Sequence, residues 1–442
     1  MTKYIITGGK KLNGQVQLSG AKNAGFKALI ATLLGDSPST ICGLGLISEV
    51  GFAKEVIVSI GGKVTQLSNP HCLIIDPTNL RDFSIPVEIG SKSRSVTMYV
   101  GPLLKKFGKA ILPAPGGDRI GSRPIDRHLE GLEALGARVK FTNGIFVVEA
   151  PNGLCGATYR FRKNTHTGTE TLLMCAVFAK GETILENAAA EPEVDDLITL
   201  LNSMGAKIMR LAAKTIRISG VENLRGVNHI VMKDRLEAAT FACAALATKG
   251  NIEVLGADPL VLTAFLAKIN EIGGRWEKTS SGIRFWYEEP LIATNATATF
   301  YPGFMTDWQP MWTALMTQAR GISTVHETVY ESRFAHIADL SKMGGKFEFF
   351  NPKVETPEAV YNFNLEDDKP ENFHAVRVFG PTPLRGTEIE INDIRRGATI
   401  ILAGLAASGK TIIIDSKDQI KRGYEDLVSR LQKLGAQIDV II

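Results

Sequence analysis

Cysteine is scarce in this 442-residue chain: Cys42, Cys72, Cys155, Cys175 and Cys243 are scattered, odd in number and never spaced C-x-x-C. That pattern argues against a disulfide framework and a thiolate zinc site, and it fits a reducing compartment. Cys175 and Cys243 sit within apolar helical spacing and read as core packing rather than nucleophiles. His71, His128, His229, His326, His336 and His374 lack metal-ligand spacing, so no metal or cofactor is expected. A surplus of one charge sign is also lacking. Fifty Lys plus Arg against 46 Asp plus Glu leave +4, too little to suggest a nucleic-acid partner, and Trp276, Trp286, Trp308 and Trp312 form no stacking ladder. The start of the chain has no apolar core of signal-peptide length, and no later run is long enough for a membrane helix. A cytoplasmic protein with no membrane partner is the expectation. With 44% hydrophobic residues the chain can bury a sizeable core, and its length predicts two or three domains.

The sequence does contain a repeat. Apolar helical spacing ending in Gly-Gly or Gly-Ala, followed by a short strand, recurs at Gly61-Gly62, Gly136-Ala137, Gly205-Ala206, Gly273-Gly274, Gly344-Gly345 and Gly435-Ala436. Glycine at such a place reads as a left-handed helix terminus. Between these endings a helix of small residues stops at glycine and runs into a strand, as at Lys180-Gly181, Lys249-Gly250 and Ser408-Gly409. The fifth and sixth endings are farther apart than the others. Asn351 to Pro383, polar and Pro-containing, therefore reads as an exposed insertion. Six units suggest two domains of three, dividing near Met232. Leu236 to Ala247 and Ala398 to Ala407 carry few charges on any face and should be buried.

The loops entering these first helices share one repeated position and are rich in charge: Lys22-Asn23, Lys92-Ser93-Arg94, His166-Thr167-Gly168, Lys233-Asp234-Arg235, Thr306-Asp307 and Asp393-Ile394-Arg395-Arg396. Lysines and arginines at a helix N-terminus oppose the local field, so their recurrence there points to anion binding. Loops before the second helices add Arg123, Arg333 and Arg422, whose guanidinium forks suit phosphate or carboxylate. Pro113 to Arg123 is rich in Pro and Gly and reads as a lid carrying Asp118. Gly404 to Thr411 matches the phosphate-loop pattern G-x-x-x-x-G-K-[ST]. That loop needs a strand before it and a helix after it, and the spacing here predicts the reverse, so nucleotide hydrolysis is set aside.

At these loops the chain resembles the enolpyruvyl transferases, within them the sugar-nucleotide branch. The motifs are Leu18-Ser19-Gly20-Ala21-Lys22-Asn23-Ala24, Gly121-Ser122-Arg123-Pro124-Ile125-Asp126, Glu186 to Glu193, Thr306-Asp307, Glu327 to Phe334 and Arg422-Gly423-Tyr424-Glu425. The resemblance covers nearly the whole chain. It implies a two-domain inside-out α/β barrel of six strand-helix-strand-helix units. The first lobe would span 23–232 and carry the lid 113–123; the second would combine 1–22 with 233–442. It implies transfer of the enolpyruvyl group of phosphoenolpyruvate to the 3-hydroxyl of UDP-N-acetylglucosamine, releasing phosphate, in peptidoglycan precursor synthesis. Another nucleoside or sugar acceptor is the alternative.

By position, Lys22 matches the lysine that contacts phosphoenolpyruvate, and Arg123, Arg395 and Arg422 the arginines that clamp it. Asp307 matches the carboxylate beside the sugar hydroxyl and is the candidate base. Asn23, Arg94 and Val329 match substrate-contacting positions, Asp126 a position holding the uracil ring, and Gly168 one near the diphosphate. The chain departs from the family at Asn164-Thr165-His166-Thr167-Gly168, where Lys-x-Ser-Val-Gly is usual, and at Lys421, where aspartate is favoured. Asp118 stands where most members carry the lid cysteine alkylated by the epoxide fosfomycin. A carboxylic acid there still shuttles a proton but is a poor nucleophile toward an epoxide.

Overall fold

The computed structural model describes residues 2–116, 121–391 and 393–442. Asp118, the proposed proton donor of the lid, lies outside the described residues. The fold is α/β, with mixed sheets in which a parallel pair adjoins an antiparallel hairpin. Glu182–Glu186, for example, pairs parallel with Thr158–Arg160 and antiparallel with Thr215–Ser219. Among the described residues the chain divides into two compact units. One comprises 2–19, 121–123 and 233–442; the other comprises 20–116 and 124–232. The boundary falls at Ser19/Gly20 rather than at 22/23 because adjacent backbone groups bond opposite ways. The Ser19 carbonyl accepts from Asp234 N–H, and Ala21 N–H donates to the Met232 carbonyl. Gly121 to Arg123, read from sequence as part of the first lobe's lid, groups instead with 233–442.

In the unit with 233–442, the helices Arg235–Ala247, Gln309–Met316 and Ile394–Ala406 pack on one another. The first two are buried along their whole length. Their alanine, methionine and tryptophan content leaves no polar face to turn toward water. The second helices of the repeat bury only a stripe, such as Phe265, Leu266 and Ile269 of Thr263–Glu271. Strand Thr2–Thr7 lies between Lys410–Asp415 and Gln437–Ile441, antiparallel to both. In the other unit, Lys22–Ala31 and His166–Ala176 are likewise buried beyond their first residues.

The six predicted glycine endings, Gly61, Gly136, Gly205, Gly273, Gly344 and Gly435, all have φ between +78° and +112°. The phosphate-loop match fails as expected: helix Ile394–Ala406 precedes Gly409 and strand Lys410–Asp415 follows it. Cys175 and Cys243 are buried, and burial pushes both thiols up.

Two readings are corrected. Cys42 and Cys72 form a disulfide, although their spacing gave no sign of one. Strands Ser39–Cys42 and Leu73–Asp76 pair antiparallel with Ile41 opposite Leu73, which brings the next residues outward, 42 and 72, face to face. The insertion is also less exposed than expected. It is the turn between strands Lys346–Phe350 and Ala375–Gly380, running over 351–374, and it buries Tyr361, Phe363 and His374.

Nothing lies within contact of a β-carbon placed on Gly136, whose φ is +87°. Gly136→Ala therefore isolates the cost of a left-handed backbone. It should destabilise the protein by about 1 kcal/mol, and Gly136→Asn by less, as read from urea unfolding midpoints.

Candidate active site

Each unit brings part of the predicted set together. In the unit with 233–442, the centre is the Asp307 carboxylate, at the loop entering helix Gln309–Met316. Its Oδ1 accepts from Arg333 and its Oδ2 from Arg395 Nη2 at 3.0 Å. Both guanidinium groups are buried and Asp307 is about one-fifth exposed, so the carboxylate opens to solvent between two fixed cations. Burial opposes charge on Arg395, but Asp307 and Tyr424 outweigh it and raise its pKa. Arg395 is steered from behind: its Nη1 donates to the Tyr424 hydroxyl at 3.1 Å, which in turn contacts Thr240 Oγ1 at 3.1 Å. The adjacent Arg396 turns away to the fully buried Asp339. Of the two neighbouring arginines, then, only Arg395 serves Asp307. Arg422 lies on the short helix Gln419–Gly423, which packs against Ile394–Ala406 where Ile420 meets Gly397.

Val329 follows strand Gly321–Glu327, and its N–H donates to Glu327 Oε1 at 2.8 Å, as does that of Tyr330 at 3.3 Å. Glu327 Oε2 accepts from Thr306 Oγ1 at 2.7 Å. One fully buried carboxylate thus ties the residue before Asp307 to the turn carrying Val329. The Tyr330 ring lies near two guanidinium groups, Arg123 at 5.8 Å and Arg333 at 5.2 Å. Arg123 itself has φ +49°, and the preceding Ser122 N–H donates to Glu331.

In the other unit, Lys22 and Asn23 open helix Lys22–Ala31. Gly20 is required just before it, because a β-carbon there would lie 1.6 Å from the Gly43 carbonyl oxygen. Arg94 begins the helical turn Arg94–Tyr99, and its Nη2 donates to the Pro124 carbonyl at 3.1 Å, beside the segment leading to Asp126. Asp126 opens helix Asp126–Ala134 and pairs with Arg162 at 3.2 Å. Gly168 lies in the first turn of His166–Ala176, its N–H bonded to the capping Thr165 Oγ1.

Some of the charged architecture escaped the sequence reading. Lys27 and Glu170 form a buried ion pair at 2.5 Å, and His166 Nε2 lies 3.1 Å from Lys27 and 3.2 Å from Glu170. Burial opposes charging of His166, but Glu170 outweighs it and raises its pKa. The available signal was a lysine and a glutamate in the middle of charge-poor helices. Glu327 was quoted in a motif but given no role, and Arg333 was read as an anion-binding fork rather than as a partner of Asp307; Glu327 shares the buried face of its strand with Ser323 and Val325. Among the described residues no group of His, Cys, Asp and Glu is arranged to hold a metal ion.

Comparison with known proteins identifies the class. A family model described as EPSP synthase (3-phosphoshikimate 1-carboxyvinyltransferase) matches residues 6–431. A curated relative, UDP-N-acetylglucosamine 1-carboxyvinyltransferase 3 of Caldanaerobacter subterraneus subsp. tengcongensis, is 40% identical over 99% of each chain. UDP-N-acetylglucosamine 1-carboxyvinyltransferase 1 of Staphylococcus aureus (strain bovine RF122 / ET3-1) is 36% identical over the whole of both. Among solved structures, the enolpyruvyl transferase NikO from Streptomyces tendae superposes with a TM-score of 0.86 at 23% identity, covering 99% of this chain and 98% of that one. EPSP synthase from Acinetobacter baumannii gives 0.74 at 17% identity over 100% of both chains; these two likenesses concern the fold. The chain belongs to the EPSP synthase family of enolpyruvyl, or 1-carboxyvinyl, transferases.

Burial pushes the Glu327 carboxyl up to about 7, against the opposing pull of Arg333, Thr306 and two backbone N–H groups. A carboxyl with a raised folded pKa stabilises most when protonated. Its contribution is complete below the ordinary value of 4.5 and is lost as pH rises through about 7. Glu327→Gln should accordingly flatten the stability profile between pH 5 and 8, by up to about 3 kcal/mol relative to wild type. Urea midpoints that follow parallel pH curves for the two proteins would exclude Glu327 as the titrating group.

Proposed function

We propose that the chain transfers the enolpyruvyl group of phosphoenolpyruvate to the 3-hydroxyl of UDP-N-acetylglucosamine, releasing phosphate, as a cytoplasmic step in supplying peptidoglycan precursors. The observation that carries this reading is the Asp307 carboxylate held between Arg395 and Arg333. It is supported by full-length identity of 36–40% to curated relatives bearing that activity in their names. The reading includes an inside-out α/β barrel of six repeated units, three to each lobe, with the lobes divided at Ser19/Gly20 and Met232/Lys233. No helix among the described residues is long and apolar enough to cross a membrane. The cytoplasmic location follows from the substrates, both phosphorylated metabolites of the cell interior.

The chemistry is addition followed by elimination. The methylene carbon of phosphoenolpyruvate takes a proton, the adjacent carbon becomes cationic, and the sugar oxygen bonds to it while losing its proton. A proton then leaves the methyl carbon as phosphate departs, restoring the double bond on the new ether. Asp307 is assigned as the base for the sugar hydroxyl and Asp118 as the acid for the methylene carbon. Lys22, Arg123, Arg395 and Arg422 are assigned to the phosphate and carboxylate. Asn23, Arg94 and Val329 are assigned to substrate contact, and Asp126 and Gly168 to the acceptor. Arginines already fixed by carboxylate and tyrosine partners need no reorganisation when an anion arrives, which is the physical basis of preorganised electrostatic stabilisation. A second reading, another nucleoside or sugar acceptor, is favoured by Lys27, Glu170 and His166, which lie against the altered loop that would meet the diphosphate.

Phosphate release from phosphoenolpyruvate, measured with UDP-N-acetylglucosamine, with other nucleoside diphosphate sugars and with no acceptor, decides between these readings. Release only with UDP-N-acetylglucosamine is expected. Asp307→Asn should lower turnover by about 10²-fold or more while substrate binding persists, the scale of losing a positioned base. Lys22→Ala should impair both phosphoenolpyruvate binding and turnover. A fully active Asp307→Asn enzyme would remove this carboxylate from the mechanism.

Asp118 yields a separate expectation. Wild type should keep its activity during incubation with fosfomycin, and Asp118→Cys should lose it with time, because a thiolate opens the epoxide far faster than a carboxylate does. Equal inactivation of the two proteins would overturn the assignment of this position.

A further inference from the structure

The segment 351–374 has no counterpart in the other hairpins of the fold, which turn over at residues 67–72, 143–144, 213–214 and 279–281. Its contacts converge on one place, the end of strand Gly321–Glu327. On one side of that end, Thr328 N–H and Oγ1 both donate to the Ala298 carbonyl, at 3.2 and 2.6 Å. On the other side, Glu327 N–H donates to the His374 carbonyl at 2.8 Å, and the Thr328 carbonyl accepts from Asn362 N–H at 2.8 Å. The pairing of Gly321–Glu327 with Ala375–Gly380 stops at His326 opposite Ala375. From there the inserted segment supplies the next rungs, which a two-residue turn could not reach.

A side-chain knot holds those rungs. Tyr361 stacks on Phe363 with ring centres 5.0 Å apart, and His374 packs on both, at 4.9 and 5.0 Å. The Tyr361 hydroxyl meets His326 Nε2 at 3.3 Å, and His374 Nε2 meets Asp368 at 2.8 Å. Asp368 in turn receives Asn372 Nδ2 and Lys369 N–H. Tyr361, Phe363 and His374 are each at most 6% exposed, so the knot is a small core of its own rather than surface decoration.

What this core supports begins one residue further on. Val329 and Tyr330 donate to Glu327, the Tyr330 ring lies near Arg123 and Arg333, and Arg333 donates to Asp307. We infer that the 351–374 segment is a positioning strap. Its Asn362 N–H and its Tyr361–Phe363–His374 stack set the height of the Thr328–Arg333 turn, and thereby the place of the acceptor beside Asp307. The part concerning the acceptor rests on the function proposed above; the positioning of the turn does not.

Asn362→Pro tests the strap by removing the N–H that donates to the Thr328 carbonyl together with the Asn362 side chain, and Asn362→Ala removes the side chain alone. The residue before it, Tyr361, already has φ −90° and ψ 135°, the extended backbone that proline requires of its predecessor. Asn362→Ala keeps the N–H and serves as the conservative variant. Two readouts are needed: hydrogen exchange of the amides of 328–333 in the free full-length protein, and steady-state kinetics. In Asn362→Pro, exchange at 328–333 should quicken by about tenfold, the scale of one lost backbone hydrogen bond, while helix Arg235–Ala247 stays protected. KM for UDP-N-acetylglucosamine should rise by about the same factor, more than KM for phosphoenolpyruvate, and Asn362→Ala should restore both readouts toward wild type. If Asn362→Pro does not fold, Tyr361→Ala, which empties the ring stack, should give the same split. Unchanged exchange at 328–333 in the folded variant overturns the strap. Faster exchange with an unchanged acceptor KM overturns its link to the acceptor. If wild type proves inactive with UDP-N-acetylglucosamine, the proposed function fails, and the exchange result still decides whether the strap exists.

Discussion

A helix without a polar face has nowhere to go except inside, and much of this fold follows from that constraint. Arg235–Ala247 and Gln309–Met316 bury every residue they contain. Other elements must enclose them, and only their ends reach polar surroundings. Those ends are N-termini with unsatisfied N–H groups and a positive field. The polar residues that the helix bodies exclude therefore gather at the entering loops, where Asp307 and Asp393 stand with Asp234. Asp234 caps its helix by accepting from Leu236 and Glu237 N–H, at 2.7 and 3.1 Å, and Asp393 does the same for Arg396 at 2.8 Å. Asp307, at the corresponding place before Gln309–Met316, accepts from Arg333 and Arg395.

Burial also sets the electrostatics around Asp307. Arg333 and Arg395 have lost most of their hydration, so each needs a fixed anion, and the same carboxylate satisfies both. Glu327 lies too deep to stay readily ionised, and it holds its place through hydrogen bonds to Thr306, Val329 and Tyr330 rather than through a direct ion pair. The geometry of the loop before Asp307 and that of the Val329 turn are thus linked through one side chain.

The unit containing Lys22 solves a similar problem with different residues. A lysine inside helix Lys22–Ala31 is admissible only because Glu170 lies 2.5 Å away across the helix pair. His166, at the start of Glu170's own helix, shares that carboxylate oxygen. Charge has been built into an interior that is otherwise apolar, beside the loop that enters Glu170's helix.

The architecture was largely legible in the sequence because it depends on local, periodic features. The six glycine endings, the charge-poor first helices and the helix-before-strand order that disqualifies the phosphate-loop match each depend on a few adjacent residues, and each has its expected form. The class of enzyme was legible from motifs that stand in fixed order along the chain. Pairings between distant residues were not. Nothing in the spacing of Cys42 and Cys72 indicates a bond that strand register creates. Nothing local separates Arg395, which serves Asp307, from Arg396, which serves Asp339. A polar, proline-containing run gives no warning that Tyr361, Phe363 and His374 will close into a core behind Thr328. Sequence by itself determined which residues form helices and strands, and which loops carry charge, because those follow from backbone sterics and apolar periodicity within a few residues. Tertiary structure decided which charges meet, because that depends on strand register and helix packing, which bring together side chains as far apart in the chain as Lys27 and Glu170.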